Sequence, residues 1–162
     1  MTDAQKRTLI TALRQTGIFV TAGLDKPNVM TSHWGALGTF WNKPVFILPV
    51  RPSKLTHELI EKDKCFALSV PIKDMRSEII ACDHLSGYFS NKFEMLHLHP
   101  QRARNIPTYI LSECGLIIEC KVLFTADMTR EQLDPSLKED MYSCKDFHTM
   151  YFGEIIDAYE NK

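Results

Sequence analysis

Val50-Arg51-Pro52-Ser53-Lys54-Leu55-Thr56 places a guanidinium, an ammonium and two hydroxyls within seven residues. The apolar run Val45 to Val50 precedes these groups and a segment of helical spacing follows them, so they stand where a strand hands over to a helix. Backbone N–H groups at a helix N-terminus attract anions, and Arg and Lys add charge-assisted hydrogen bonds to phosphate oxygens. The segment therefore reads as a phosphate cradle without a Gly-rich loop. The same residues also admit a plainer reading, in which Ser53 caps the helix and Arg51 and Lys54 are solvated. Just upstream, Asn28 and Thr31 can bond to the edge of a heteroaromatic ring. Met30, Trp34 and Trp41 can form an apolar or stacking wall beside it, although a buried Trp is more often core than ligand contact.

The remaining chemistry-bearing residues point to ordinary structural roles. His97-Leu98-His99, with His84 upstream, lacks a third metal ligand at convincing spacing and reads as a surface or loop pair, so no metal is expected. Cys65, Cys82, Cys114, Cys120 and Cys144 are odd in number and form no C-x-x-C pair, which favours reduced structural thiols. Glu58, Glu61, Lys62 and Lys64 read as the solvated face of the helix after Pro52. No Walker or dinucleotide fingerprint follows a strand, so Gly35 and Gly38 read as bend or bulge residues.

The elements that must position these groups follow from spacing. Leu9 to Arg14 allows a helical turn, Gly17 to Ala22 is a first strand, and Leu24-Asp25-Lys26-Pro27 is a turn. Val29 to Trp34 and Val45 to Val50, separated by Gly35, Gly38 and Lys43-Pro44, give two or three strands. A helix starts at Ser53, with Leu55, Leu59 and Ile60 on one stripe. Cys65 to Val70 is another strand, and Met75 to Leu85 has helical composition. Tyr109 to Ile110, Leu116 to Phe124 and Phe147 to Ile156 are strand-like, with Met128 to Lys145 a polar excursion between the last two. Six or more strands with two helices predict an antiparallel barrel rather than alternating βαβ units.

At 162 residues with 44% hydrophobic content, the chain fits one core and one domain over 1–162. A formal net charge of -1 offers no basic field for nucleic acid or an anionic membrane. No apolar run approaches a membrane span, and Met1-Thr2-Asp3-Ala4-Gln5-Lys6 lacks the apolar core of a signal peptide, so a cytoplasmic location is expected.

Three motifs in order and spacing resemble the flavin reductase-like FMN-binding split-barrel family, and within it the flavoredoxin-type branch. They are Asn28-Val29-Met30-Thr31-Ser32-His33-Trp34-Gly35, then Trp41-Asn42-Lys43-Pro44, then Val50-Arg51-Pro52-Ser53-Lys54-Leu55-Thr56. Further on, Phe66-Ala67-Leu68-Ser69-Val70-Pro71 resembles the family's next strand. Ser86-Gly87 with Asn91-Lys92-Phe93 resembles its Ser-Gly and Asp-Lys-Phe element, and His148 to Glu154 its closing strand. The resemblance implies a six-stranded antiparallel split barrel with Greek-key order, a homodimer, and one FMN per subunit near the interface. Arg51, Ser53, Lys54 and Thr56, beside Val50, would hold the phosphate and ribityl end. Asn28, Val29, Met30, Thr31 and Trp34 would line the ring. Ser86, Gly87 and Lys92 would close over the cofactor, and His148 and Phe152 would approach the ring.

The chain departs from the family pattern at Asp83, where Gly is common, and at Tyr88, where Arg follows Ser-Gly. The Gly-Asp-His signature of nicotinamide use is replaced by Phe152-Gly153-Glu154. The expected function is an FMN-dependent redox protein, a flavin reductase or electron carrier, taking electrons from NAD(P)H or a redox protein, with Lys92 or the Thr31 hydroxyl stabilising the reduced ring. Two other readings are a non-catalytic module for FMN or another planar ligand such as haem, and a structural barrel that has lost its cofactor.

Overall fold

Residues alternate along the strands between two apolar cores, and that alternation shapes the molecule. The computed structural model describes residues 1–161. In chain order the elements are α1 (Asp3–Gln15), β1 (Ile18–Ala22), β2 (Asn28–Ser32), β3 (Ala36–Phe40), β4 (Lys43–Val50), α2 (Leu55–Asp63), β5 (Cys65–Val70), α3 (Arg76–His84), α4 (Lys92–Met95), β6 (Pro100–Arg102), β7 (Tyr109–Leu111), β8 (Leu116–Asp127), a 3-10 turn (Arg130–Gln132), α5 (Pro135–Asp140) and β9 (Thr149–Glu160). A seven-stranded antiparallel sheet runs β2-β1-β5-β8-β9-β4-β3, and β6 pairs with β7 beside it.

Ile18, Val20 and Ala22 of β1, Phe66, Leu68 and Val70 of β5, and Leu116, Ile118 and Cys120 of β8 enter the first core. Phe46 and Leu48 of β4, Tyr151 of β9 and Leu9 and Leu13 of α1 fill it. The intervening residues Phe19, Cys65, Ala67 and Ile117 enter a second core against Ile79 and Cys82 of α3 and Ile110 and Leu111 of β7. Because both faces of β1 and β5 are buried, these strands read as near-continuous apolar runs in sequence, interrupted only by Thr21 and Ser69. Each fully buried Phe or Leu contributes about 1.5–3 kcal/mol relative to exposure.

The fold is a mainly β split barrel with a few helices, as expected, but its details differ from the sequence reading. The main sheet has seven strands rather than six. The additional strand β3 is exposed at Ala36, Gly38, Thr39 and Phe40, so no burial pattern announces it. Gly38 pairs with Val45 in regular register and makes no bulge; the irregularities lie instead between Glu119 and Cys120 and between Val122 and Phe124.

Among the described residues five α-helices form where two were expected. In α1, the Gln5 amide donates to Thr2 Oγ1 (3.2 Å) and Thr2 N donates to Gln5 Oε1 (2.8 Å), a capping box that starts the helix well before Leu9. The polar excursion folds into the 3-10 turn and α5, with Asp134 capping Ser136 N at 2.9 Å.

Candidate functional site

Helix α2 begins at Leu55, with Lys54 as the cap residue and no side-chain capping bond. The sequence expectation that Ser53 is the N-cap is thus corrected. Its hydroxyl donates instead to Asp146 Oδ2 at 2.6 Å, a carboxylate 93 residues away. The first turn of α2 lies at the end of β4; there His57 N donates back to Lys54 O at 2.9 Å, and the N–H groups of Leu55 and Thr56 stand ahead of it.

There a cavity of about 210 Å³ is lined by Asn28, Met30, Ser53, Lys54, Thr56, Asp83, Ser86, Gly87 and Lys92, among others. Asn28 donates from Nδ2 to Thr56 Oγ1 at 2.9 Å and so ties β2 to α2. Gly87 lets the loop after α3 pass close over this pair, because a Cβ at Gly87 would fall 2.5 Å from Asn28 Oδ1. Lys92 is only 3% exposed; its Nζ donates to Cys82 O at 3.0 Å and meets Cys82 Sγ at 3.9 Å. Burial lowers the Lys92 pKa below the ordinary value. Tyr88 bridges the loop back to α2 by donating its hydroxyl to Glu58, so Glu58 is more than a solvated helix residue. Glu61 likewise accepts from Tyr151 at 2.8 Å.

The cavity opens onto a groove of about 1070 Å³ that shares Asn28, Leu55, Gly87, Tyr88 and Lys92 with it. The smaller space suits a phosphate-sized group, and the groove supplies the room that a drug-sized ligand of roughly 300–1,000 Å³ needs. Donors at a helix start, two ammonium groups and clustered hydroxyls fit a phosphate-bearing cofactor.

The other expected residues lie in different surroundings. Val29 is buried in the second core and Val50 in the first, so neither side chain lines the cavity. Thr31 donates to Asp83 Oδ1 at 3.4 Å, and Lys54 Nζ lies 3.9 Å from the same oxygen. Arg51 is held by the excursion: Nη1 donates to Asp146 O (3.1 Å) and Cys144 Sγ (3.3 Å), Nη2 to Met141 O (3.0 Å), and the guanidinium covers the Tyr142 ring at 5.3 Å.

Tyr142 in turn bonds His148 Nδ1 at 2.8 Å, and Trp34 lies against His148 with ring centroids 5.2 Å apart. Burial, reinforced by Arg51, pushes the His148 pKa down to about 4. Trp41 and Phe152 stand apart from the cavity lining, in an aromatic cluster with Phe40 and Phe124 at the β3–β4 turn.

Sequence reasoning missed Tyr142 and Asp146 because both act through contacts with residues far away in the chain. Among the cysteines, Cys65, Cys82, Cys114 and Cys120 are buried, and burial raises Cys65 and Cys82 to about 11. Cys144 is the correction: it is exposed, and the Asp146 backbone N–H and the Arg51 guanidinium hold its thiol below the usual value. Among the described residues no cluster of His, Cys, Asp or Glu could hold a metal, and no helix is long and apolar enough to cross a membrane.

The structure is thus a split barrel with a cavity lined by two lysines and several hydroxyls where β4 meets α2. The flavin reductase like domain family matches residues 10–162, and the chain belongs to that family. Membership ties it to flavin-related redox chemistry. An uncharacterised protein of Archaeoglobus fulgidus is 29% identical over 137 residues, covering 85% of this chain and 67% of the relative. The fold matches flavoredoxin of Desulfovibrio vulgaris with a TM-score of 0.70 at 19% identity, over 90% of this chain and 69% of that one. It also matches an NADH:FAD oxidoreductase of Streptomyces globisporus, with a TM-score of 0.69 at 17% identity, over 90% and 75% of the two chains.

Proposed function

We propose that the chain, as a single domain over 1–162, binds FMN where β2, α2 and the loop after α3 meet and passes reducing equivalents through it. The observation that carries this reading is the cavity in which Asn28, Lys54, Thr56, Ser86, Gly87 and Lys92 converge at the start of α2. A bound flavin supplies an isoalloxazine ring that takes up and releases electrons.

Arg51, Ser53, Lys54 and Thr56 are assigned to the phosphate end, with Ser86 closing over it, and Lys92 and Thr31 to the polar edge of the ring. Burial already disfavours the charged form of Lys92, so an anion beside it would restore that charge and gain a stronger hydrogen bond. Asn28 and Gly87 fix the distance between β2 and the covering loop, and Tyr88 with Glu58 ties that loop to α2.

A homodimer belongs to this reading, supported by the exposed aromatic residues Phe40, Trp41 and Phe124 clustered around Phe152. A cytoplasmic setting is supported by all five cysteines being free. Electrons come either from a nicotinamide or from a redox protein. An anaerobic assay of the FMN-loaded protein divides the two: bleaching by NADH or NADPH at a catalytic rate marks a reductase. Bleaching by a ferredoxin-type donor alone marks a carrier, and a flavin that neither donor bleaches contradicts the redox reading.

A further inference from the structure

Three of the four residues assigned by resemblance to the phosphate end already face a carboxylate of their own chain, and two of them, Arg51 and Ser53, share the same one. Ser53 Oγ donates to Asp146 Oδ2 at 2.6 Å, and Arg51 Nη1 lies 4.0 Å from that same oxygen. Both side chains of the Arg51–Asp146 pair are about a quarter exposed, at 24% and 25%, so the pair is partly shielded from water. The strap that carries Asp146 is anchored on Arg51 at three further points: Met141 O, Cys144 Sγ and Asp146 O. The Tyr142 ring completes the anchorage under the guanidinium. One carboxylate oxygen of Asp146 thus faces both the Arg51 guanidinium and the Ser53 hydroxyl, and Ser53 lines the cavity.

We propose that Asp146 is a specificity-determining residue that sets how strongly this site prefers a phosphorylated flavin to an unphosphorylated one. The proposal rests on the FMN reading above. A phosphate brought to Arg51 and Ser53 must displace Asp146 or share them with it, and a carboxylate at that distance repels the approaching dianion. Riboflavin has the same ring and ribityl chain but no phosphate, and it meets neither the competition nor the repulsion. The carboxylate therefore lowers affinity for FMN selectively and narrows the gap between the two ligands. Asp83 is the natural contrast. It also faces a cradle cation, Lys54, but at 3.9 Å and with its side chain 62% exposed, so solvent screens it.

The test is a fluorescence titration of the full chain with FMN and, separately, with riboflavin, for the wild type, Asp146→Asn and Asp146→Ala. Asn keeps an acceptor for Ser53 and removes only the charge; Ala removes both. The expected result is FMN binding tightened about tenfold in Asp146→Asn and at least as much in Asp146→Ala, with riboflavin affinity unchanged. Asp83→Asn is expected to change the ratio by less than about threefold. Equal shifts for both ligands, no shift, or weaker FMN binding in Asp146→Asn would overturn the proposal, the last by showing that Asp146 positions Arg51 and Ser53 for the phosphate. If neither flavin binds the wild type or any variant, the FMN reading itself fails and this proposal with it.

Discussion

Asn28, Thr56, Gly87 and Lys92 meet through buried packing between β2, α2 and the loop after α3, whereas Arg51 and Ser53 are held by a strap at the surface. The first group has its geometry set before any ligand arrives: a hydrogen bond of 2.9 Å, a glycine that admits a close approach, and an amine 3% exposed. The second group is satisfied by Met141, Cys144 and Asp146, and a ligand must compete for it. The buried half therefore supplies shape and the strapped half supplies adjustable charge. Preorganised groups contribute affinity because little has to be ordered on binding, while occupied groups contribute only the difference between two partners.

This contrast can be broken first at its tightest point. Gly87→Val should lower FMN affinity roughly a hundredfold in a fluorescence titration, with the far-ultraviolet circular dichroism unchanged. Unaltered binding would mean that the wall over Asn28 does not touch the ligand. Lys92→Met should cost about 2 kcal/mol of binding, close to thirtyfold, because a buried charge-assisted donor is lost.

On the strapped side, Arg51→Met removes the anchor of Met141 to Asp146. Trypsin cleavage after Lys145 should accelerate about tenfold, read by mass spectrometry, since local opening controls the rate. A cut rate equal to the wild type would show that the strap is held by something other than Arg51.

The smallest effect is in pH dependence. The His148 pKa is depressed in the folded chain to about 4, so the unfolded chain takes up the proton first as pH falls. The stability attached to neutral His148 is complete above the ordinary histidine value near 6.5 and is lost progressively down to about 4. Between about pH 7 and 5.5, urea unfolding should show the wild type losing roughly 1 kcal/mol more than His148→Asn. Parallel pH profiles would place His148 in a more solvated setting than the contact with Tyr142 and Trp34 implies.

The buried half was legible in the sequence, and the strapped half was not. Asn28 and Thr56 sit in local patterns, a strand start and a helix start, and Gly87 and Lys92 were reached through the resemblance of Ser86-Gly87 and Asn91-Lys92-Phe93 to a family motif. Strands β1, β5 and β8 were visible because β-branched and aromatic runs bounded by Gly or Pro carry their own signal. The capping box of Thr2 and Gln5 was also local, and the helix it starts could have been read from it. By contrast, Asp146 meets Ser53 across 93 residues, and nothing near Ser53 announces a carboxylate. Strand β3, admitted by the sequence only as an optional third strand between Val29 and Val50, was weakly marked for a different reason: its residues pair with β4 but bury almost nothing, so hydrophobic periodicity has nothing to report. Trp41 was misplaced because a stacking residue near a ligand motif and an aromatic at a hairpin tip look alike in one dimension.

The most direct test of the central claim, that the junction of β2, α2 and the covering loop is a flavin site, is a titration of the purified chain with FMN followed by flavin fluorescence. Saturable quenching with one FMN per chain and a dissociation constant on the order of micromolar or tighter is expected. Fluorescence that tracks free FMN throughout the titration would contradict it.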